Sequence, residues 1–438
     1  MRAIVFVLRG GPAGWLGAYG NEWVGTPNLD RLASDAVVFD RHVSDCPDPA
    51  AAGAAWQSGR HQIPPMSGDA PRPAPRLTEQ LRAAGVRTVL VRANHPDTDA
   101  APSYYAGWDE VFDARPSADD RSPLDALIRS LPSVLDKLGA APRFLLWVET
   151  DRLIPPWDVR QDVFEAYVED VDDEEEEAGD EGDEEEEDRP EPEPAEPVTP
   201  FADPPTGPFD RNDLAAWEWL RGTFAAVVTT LDAELGTILD ELRARGLDQT
   251  AAWLVTSDLG YPLGEHGQVG LHRPWLHEEL VHLPLVLRFP ASAEAGRRVS
   301  AFTQPADLFP TLLELLGAEP PAEPVHGHSL IPLATGKAAS VRDYACTGLV
   351  LEGAAEWAIR TPDRALLLPG PQPEGATPRE PQLYEKPDDR WEVNDLRPRN
   401  VEPAEQLEDV LRRCVAAVQH PGPLVPPGLG PEEAVSTG

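Results

Sequence analysis

The stretch Ala252-Trp253-Leu254-Val255-Thr256-Ser257-Asp258-Leu259-Gly260 decides the fold class. Five apolar or β-branched residues run without polar alternation and then break on a turn that carries a carboxylate. A run this short and this apolar suits a strand buried on both faces. The pattern recurs at Ala3–Val7, which runs through Leu8 into Arg9-Gly10-Gly11, and again at Thr88–Val91 and Phe144–Val148. Helical periodicity fills the gaps between them. It covers Asn28–Ser34, Leu77–Ala84, Leu124–Leu138 and a long segment from Asp213 to Arg245. Asp213 is a good N-cap for that long segment and Gly246 a good terminator. Buried strands alternating with helices predict an α/β fold with a large, mostly parallel sheet sandwiched by helices. After about residue 340 the pattern changes to short strands at Trp357–Arg360 and Ala365–Leu368, then a helix from Pro403 to Gln419. The expected organisation is a large domain over 1–338 and a small C-terminal α+β subdomain over 339–438.

Composition narrows the class further. The net charge is −39 over 438 residues. The segment Glu169–Glu196 holds nineteen acidic residues and one arginine, so it alone carries −18. Like charges at that density, interrupted by Glu-Pro repeats, cannot bury a core, so about 168–210 reads as a disordered acidic insertion. It is a solvated loop or a docking tail for a basic partner. The acidic balance argues against nucleic acid or an anionic membrane as partner, since both need a basic surface. Cys46, Cys346 and Cys414 are far apart and form no CxxC pair, which excludes a zinc signature or a disulfide framework. The apolar run after Met1-Arg2 is too short for a secretory leader, so a cytoplasmic location is expected.

Several stretches, in order along nearly the whole chain, resemble the sulfatase family of the alkaline-phosphatase-like superfamily. They are Leu16-Gly17-Ala18-Tyr19-Gly20-Asn21, Thr26-Pro27-Asn28-Leu29-Asp30-Arg31-Leu32, Ser58-Gly59-Arg60 and Thr230-Leu231-Asp232-Ala233-Glu234-Leu235-Gly236. Val255-Thr256-Ser257-Asp258-Leu259-Gly260 continues the series into Gly264-Glu265-His266-Gly267 and Leu283-Pro284-Leu285. Pro310-Thr311-Leu312-Leu313, Gly327-His328-Ser329-Leu330, Leu383-Tyr384 and Asn394-Asp395-Leu396 complete it. The resemblance implies an alkaline-phosphatase-like fold. It also implies a calcium ion held by two adjacent aspartates and a later Ser-Asp turn, a formylglycine made from a Cys-x-Pro-Ser-Arg motif, and cationic residues that hold the sulfate. A hard cation needs an oxygen cage, and an anionic transition state needs concentrated positive charge.

Carried over residue by residue, most of those positions are lost. The aspartate pair falls on Arg9 and Gly10, the nucleophile on Pro49 and the motif arginine on Gly53. The Lys-x-His position reads Ala93-Asn94-His95, keeping only His95. The Pro-His-x-Pro histidine falls near Ile154, and the late lysine on His272 or Arg273. The metal turn keeps Asp258 but places Leu259 at its second ligand. One carboxylate cannot supply the six to eight oxygens of calcium. Both the family calcium and the formylglycine are therefore expected to be absent.

The expected function is a sulfatase-like protein without catalysis, a pseudoenzyme that binds a small sulfated or phosphorylated anion. The alternative is a divergent sulfuric- or phosphoric-ester hydrolase with a non-standard site. Arg9, His95, His266 and His272 are the candidate anion ligands, on the reasoning that open α/β sheets place their sites at the carboxyl ends of the strands. Against this stands a structural ion pair of Arg9 with Asp258 filling the place of the metal. His95 as base with His272 as acid would serve a metal-free hydrolysis. Cys46, displaced from the slot, is a formylglycine precursor or a buried thiol. Asp48 is a carboxylate nucleophile or a turn former between prolines. No protein partner is indicated.

Overall fold

The computed structural model describes residues 1–66, 76–93, 105–116, 122–139, 141–168, 198–420 and 422–430. The strands in chain order are β1 (Arg2–Leu8), β2 (Val37–Val43), β3 (Arg87–Ala93), β4 (Glu110–Asp113), β5 (Phe144–Thr150), β6 (Gly207–Pro208), β7 (Ala251–Thr256), β8 (Gln268–Val269), β9 (His282–Leu283), β10 (Leu285–Arg288) and β11 (Arg297–Thr303). Nine of them form one sheet in the order β11-β2-β10-β7-β1-β5-β3-β4, with β9 paired to β2. The block β7-β1-β5-β3-β4 is entirely parallel. β10 runs antiparallel between β7 and β2, and β11 is again parallel to β2. The four strands anticipated from buried apolar runs are the consecutive central ones, β7, β1, β5 and β3.

Alternation along β1 shows why its run is continuously apolar. Ile4, Phe6 and Leu8 join one core cluster, while Ala3, Val5 and Val7 join the other. The helices divide accordingly. On the first face lie α1 (Pro27–Ser34), α4 (Pro123–Gly139), α6 (Leu214–Ala244) and the short α7 (Leu247–Thr250), with α5 (Gln161–Glu165) packed on α6, while the short α8 (Glu278–Val281) belongs to the contact with the small subdomain. On the second lie α2 (Pro49–Ser58), α3 (Leu77–Ala83), α9 (Leu308–Leu316) and α10 (Ile331–Ala334). Each layer hides one set of β1 side chains, at roughly 1.5–3 kcal/mol per large apolar residue. The Asp213 carboxylate caps α6 by accepting the Ala216 N–H at 3.0 Å, and Gly246 follows its end with φ +66°. Among the described residues α6 alone is long and apolar enough to cross a membrane, and 72% of its most apolar window is buried in this fold.

Beyond α10 the chain builds a four-stranded antiparallel sheet from β12 (Ala345–Leu351), β13 (Ala354–Arg360), β14 (Arg364–Pro369) and β15 (Gln382–Glu385). The helix α11 (Val401–Val418) covers one face, packing Leu407, Leu411 and Val415 with Trp357, Ile359 and Leu366. Ala358, Ala365 and Leu367 on the other face meet Leu276, Leu280 and Phe302 of the large unit. Two of these strands, β12 and β15, go beyond the two expected.

The expected acidic insertion needs one correction. Its charged part, 169–197, lies outside the described residues. Its flank, 198–210, is packed rather than disordered. Phe201 stacks on Trp219 at 4.0 Å, the Trp157 N–H donates to the Ala202 carbonyl at 2.7 Å, and β6 pairs with β8. The charge run stops before Pro197, and the aromatic residues after it have a surface to bury against.

Candidate functional site

The carboxyl ends of β1, β5 and β7 converge where a site is expected on an open α/β sheet. Arg9 follows β1 directly, and its N–H extends the ladder to the Thr150 carbonyl of β5 at 2.9 Å. Asp258 follows β7 by two residues. The Arg9 Nε donates to Asp258 Oδ2 at 3.1 Å. Asp258 Oδ1 accepts the Gly10 N–H at 3.0 Å and the Leu259 N–H at 2.9 Å. Ser257 Oγ accepts from the Gly11 N–H at 3.0 Å and donates to the Leu259 carbonyl at 2.8 Å. Arg9 is 7% and Asp258 1% exposed, so this is a buried, charge-assisted contact.

Each lost ligand position has a new structural use. Gly10 has φ +75°, a left-handed conformation that suits glycine. A Cβ there would lie 2.8 Å from Cγ1 of Ile154. The position expected for the second aspartate is thus pressed against the position expected for the histidine. Leu259 is buried in an apolar cluster with Val43, Cys46, Leu276 and Leu280. Both Asp258 oxygens are satisfied by donors, and the nearest neighbour that could replace a metal charge is the Arg9 guanidinium. These residues do not fit a calcium ion, which requires a cage of oxygen acceptors rather than N–H donors.

The nucleophile slot is a helix start. Pro49 is the first residue of α2, where proline is favoured, and Asp48 is the N-cap, its Oδ1 accepting the Ala51 N–H at 2.9 Å. That bond gives Asp48 a capping role. Cys46 is buried, and burial pushes its thiol well above the usual range, which keeps it protonated.

The histidines are distributed differently from Arg9. His95 lies outside the described residues. His266 Nδ1 contacts Glu279 Oε1 at 2.7 Å, its Nε2 the Glu392 carbonyl at 3.1 Å, and its ring stacks on His277 at 3.8 Å. It joins the large unit to the small subdomain. His272 is half-buried; burial, then the neighbouring Arg273, push its pKa down. Arg273 lies over the Trp275 ring at 4.4 Å. Among the described residues no hydrogen bond or ion pair joins His266, His272 or Arg273 to Arg9 or Asp258.

One participant escaped the sequence reasoning. Glu149, at the end of β5, is 1% exposed and accepts the Trp147 Nε1–H at 2.8 Å. Burial lowers the Arg9 pKa, but Asp258 and then Glu149 raise it further, holding Arg9 firmly protonated. An acidic residue closing an otherwise apolar strand was the available signal. Its consequence is electrostatic, because Arg9 already answers to two carboxylates.

Beside this region, burial and then the Glu279 carboxylate push Glu265 up to about 7. A glutamate titrates near ~4.3 in an unfolded chain. Glu265 is therefore protonated in the fold below about 7, and its contribution to stability declines as pH rises from the unfolded to the folded value. Glu265→Gln removes that decline. Urea midpoints should show the variant gaining about 1–2 kcal/mol over wild type at pH 8 and little at pH 4, a discounted conversion because the side chain is partly exposed. An equal gain at both pH values would contradict the assignment.

The comparisons with known proteins agree with this architecture. The sulfatase family profile matches residues 11–318. The N-acetylglucosamine-6-O-sulfatase of Bacteroides thetaiotaomicron is 32% identical over 134 residues, 30% of this chain and 23% of that protein. Arylsulfatase K of Canis lupus familiaris is 32% identical over 130 residues, again 30% of this chain and 23% of that protein. The chain thus matches about a quarter of the length of these relatives. Among solved structures, a phosphonate monoester hydrolase of Agrobacterium radiobacter superposes with a TM-score of 0.70 at 17% identity, covering 96% of both chains. A protein solved with D-glucosamine-2-N,6-O-disulfate gives 0.69 at 16% identity, covering 95% of this chain and 97% of that one. At such identities the superpositions establish the shared fold.

Proposed function

The chain belongs to the sulfatase family, and we propose that it is a non-hydrolytic member whose metal slot is closed by its own Arg9–Asp258 pair. The observation that carries this reading is the saturation of Asp258. Its two oxygens take one guanidinium N–H and two backbone N–H groups, leaving no cage for calcium. Pro49 supplies no nucleophile, Asp48 is used as a cap, and Cys46 is buried as a thiol. Hydrolysis of a sulfate or phosphate ester needs an activated nucleophile and positive charge at the developing oxyanion. The described slot offers neither, since Arg9 is already matched by Asp258 and Glu149.

The test is turnover of a chromogenic aryl sulfate and an aryl phosphate with calcium supplied, against the Asp258→Asn variant. Wild type and variant should be indistinguishable from the uncatalysed rate. Turnover present in wild type and lost in Asp258→Asn would establish instead a divergent ester hydrolase.

A further inference from the structure

We propose that this protein binds a small tetrahedral oxyanion, the sulfate or phosphate group of an ester, in a basic cleft between β2, β11 and the small subdomain. The cleft has a volume of about 270 Å³, close to the lower end of ligand pockets (~300–1,000 Å³). Five cationic side chains line it: Arg41, Arg298, Arg360, Lys386 and Arg390. Among the described residues two carboxylates, Asp40 and Glu278, line it with them. Glu392, which pairs with Arg360 and Lys386, brings the acidic count to three. A surplus of positive charge in one concavity is notable in a chain of net charge −39, and such concavities focus potential toward anions.

The surplus resides on identifiable groups. Arg298 is tied to Asp40, and Lys386 to Glu278 and Glu392 at 3.2 Å each. Arg41 makes no ion pair among the described residues and rests over the Phe302 ring at 5.3 Å. Among the described residues Arg390 donates only to the Tyr19 carbonyl, at 3.3 Å, and lies over Trp391. Arg360 is 4% exposed, gives Nη2 to Glu392 at 2.8 Å and to the Leu276 carbonyl at 2.7 Å, and has no hydrogen-bond partner for Nη1 among the described residues. A buried guanidinium N–H without an acceptor is costly, and Arg360 is one of the residues that line the cleft an oxyanion would enter. Guanidinium forks match tetrahedral oxyanions with paired hydrogen bonds. The neutral wall formed by Tyr19, Val43, Phe302 and Pro362 leaves room for the organic part of an ester.

This cleft is separate from the Arg9–Asp258 slot and stands whether or not that slot hydrolyses esters. The probe is the full chain with inorganic sulfate or inorganic phosphate, with sodium chloride at matched ionic strength as reference. Both oxyanions should raise the melting temperature saturably. The Arg41→Ala/Arg390→Ala double variant should weaken that response at least about tenfold. Arg31→Ala/Arg399→Ala, an equal charge change on exposed residues outside the cleft, should retain it, as should Asp258→Asn. If the double variant fails to fold, Arg41→Gln alone carries the test, since among the described residues the Arg41 side chain makes only a ring contact. No oxyanion-specific shift in wild type, or a shift unchanged in the cleft variants, would overturn the proposal.

Discussion

Asp258→Ala is expected to cost about 3–5 kcal/mol of unfolding free energy in metal-free buffer, the usual range for breaking a buried ion pair from one side. The Arg9 guanidinium would keep its charge and its burial but lose its hydrogen-bonded partner. The Gly10 and Leu259 N–H groups would lose their acceptor at the same time. Asp258→Asn retains an oxygen for those two N–H groups and should cost less than the alanine. Arg9→Met leaves Asp258 with its backbone donors but deprives both Asp258 and Glu149 of their cation, so it should cost about as much as the alanine. The order of the three, read from urea midpoints, separates a structural pair from a vacant metal site. In a vacant site carboxylates repel one another, so removing a ligand stabilises the metal-free protein. A stabilising Asp258→Ala would therefore contradict the closed-slot account.

The second large effect concerns any attempt to restore the family's aspartate. Gly10→Asp is expected to destabilise by about 2–5 kcal/mol. A non-glycine residue at φ +75° stores about 1–3 kcal/mol. Its Cβ would also enter the 2.8 Å contact with Ile154, and overpacking of that kind costs about 1–3 kcal/mol. Gly10→Ala should share most of the loss, because both causes act at the backbone and Cβ rather than at the carboxylate. Adding Ile154→Ala, which removes the Cγ1 in contact but does not relieve the backbone, should recover only part of it. A Gly10→Asp protein as stable as wild type would mean that this turn accommodates the aspartate that the family resemblance places there.

These effects show what the sequence could and could not reveal. The central strands were legible because burial on both faces leaves an uninterrupted apolar run, as in β1, β5 and β7. β2 was less legible, since Val37-Val38-Phe39 gives way to Asp40-Arg41, the residues that face the basic cleft. β10 is four residues long and follows Pro284, too short to register alone. The Arg9–Asp258 contact was legible because both residues occupy motif positions that the parallel order of β1 and β7 makes adjacent. Glu149 left a signal by closing an apolar strand, though not which cation it faces; the packing of Ile154 on Gly10 is a tertiary fact with no local signature. So is the cleft, whose cations come from positions 41, 298, 360, 386 and 390 and are assembled only by docking the small sheet. The capping role of Asp48 was half legible, as a turn-favouring residue before Pro49 whose acceptor use required the helix itself.

The most direct test of the closed slot is calorimetric titration of calcium into the purified, chelator-treated protein. The account predicts no saturable heat at millimolar calcium and the same trace for Asp258→Asn. Stoichiometric binding in wild type that disappears in Asp258→Asn would contradict it, because it would require Asp258 to release Arg9 and take up a metal.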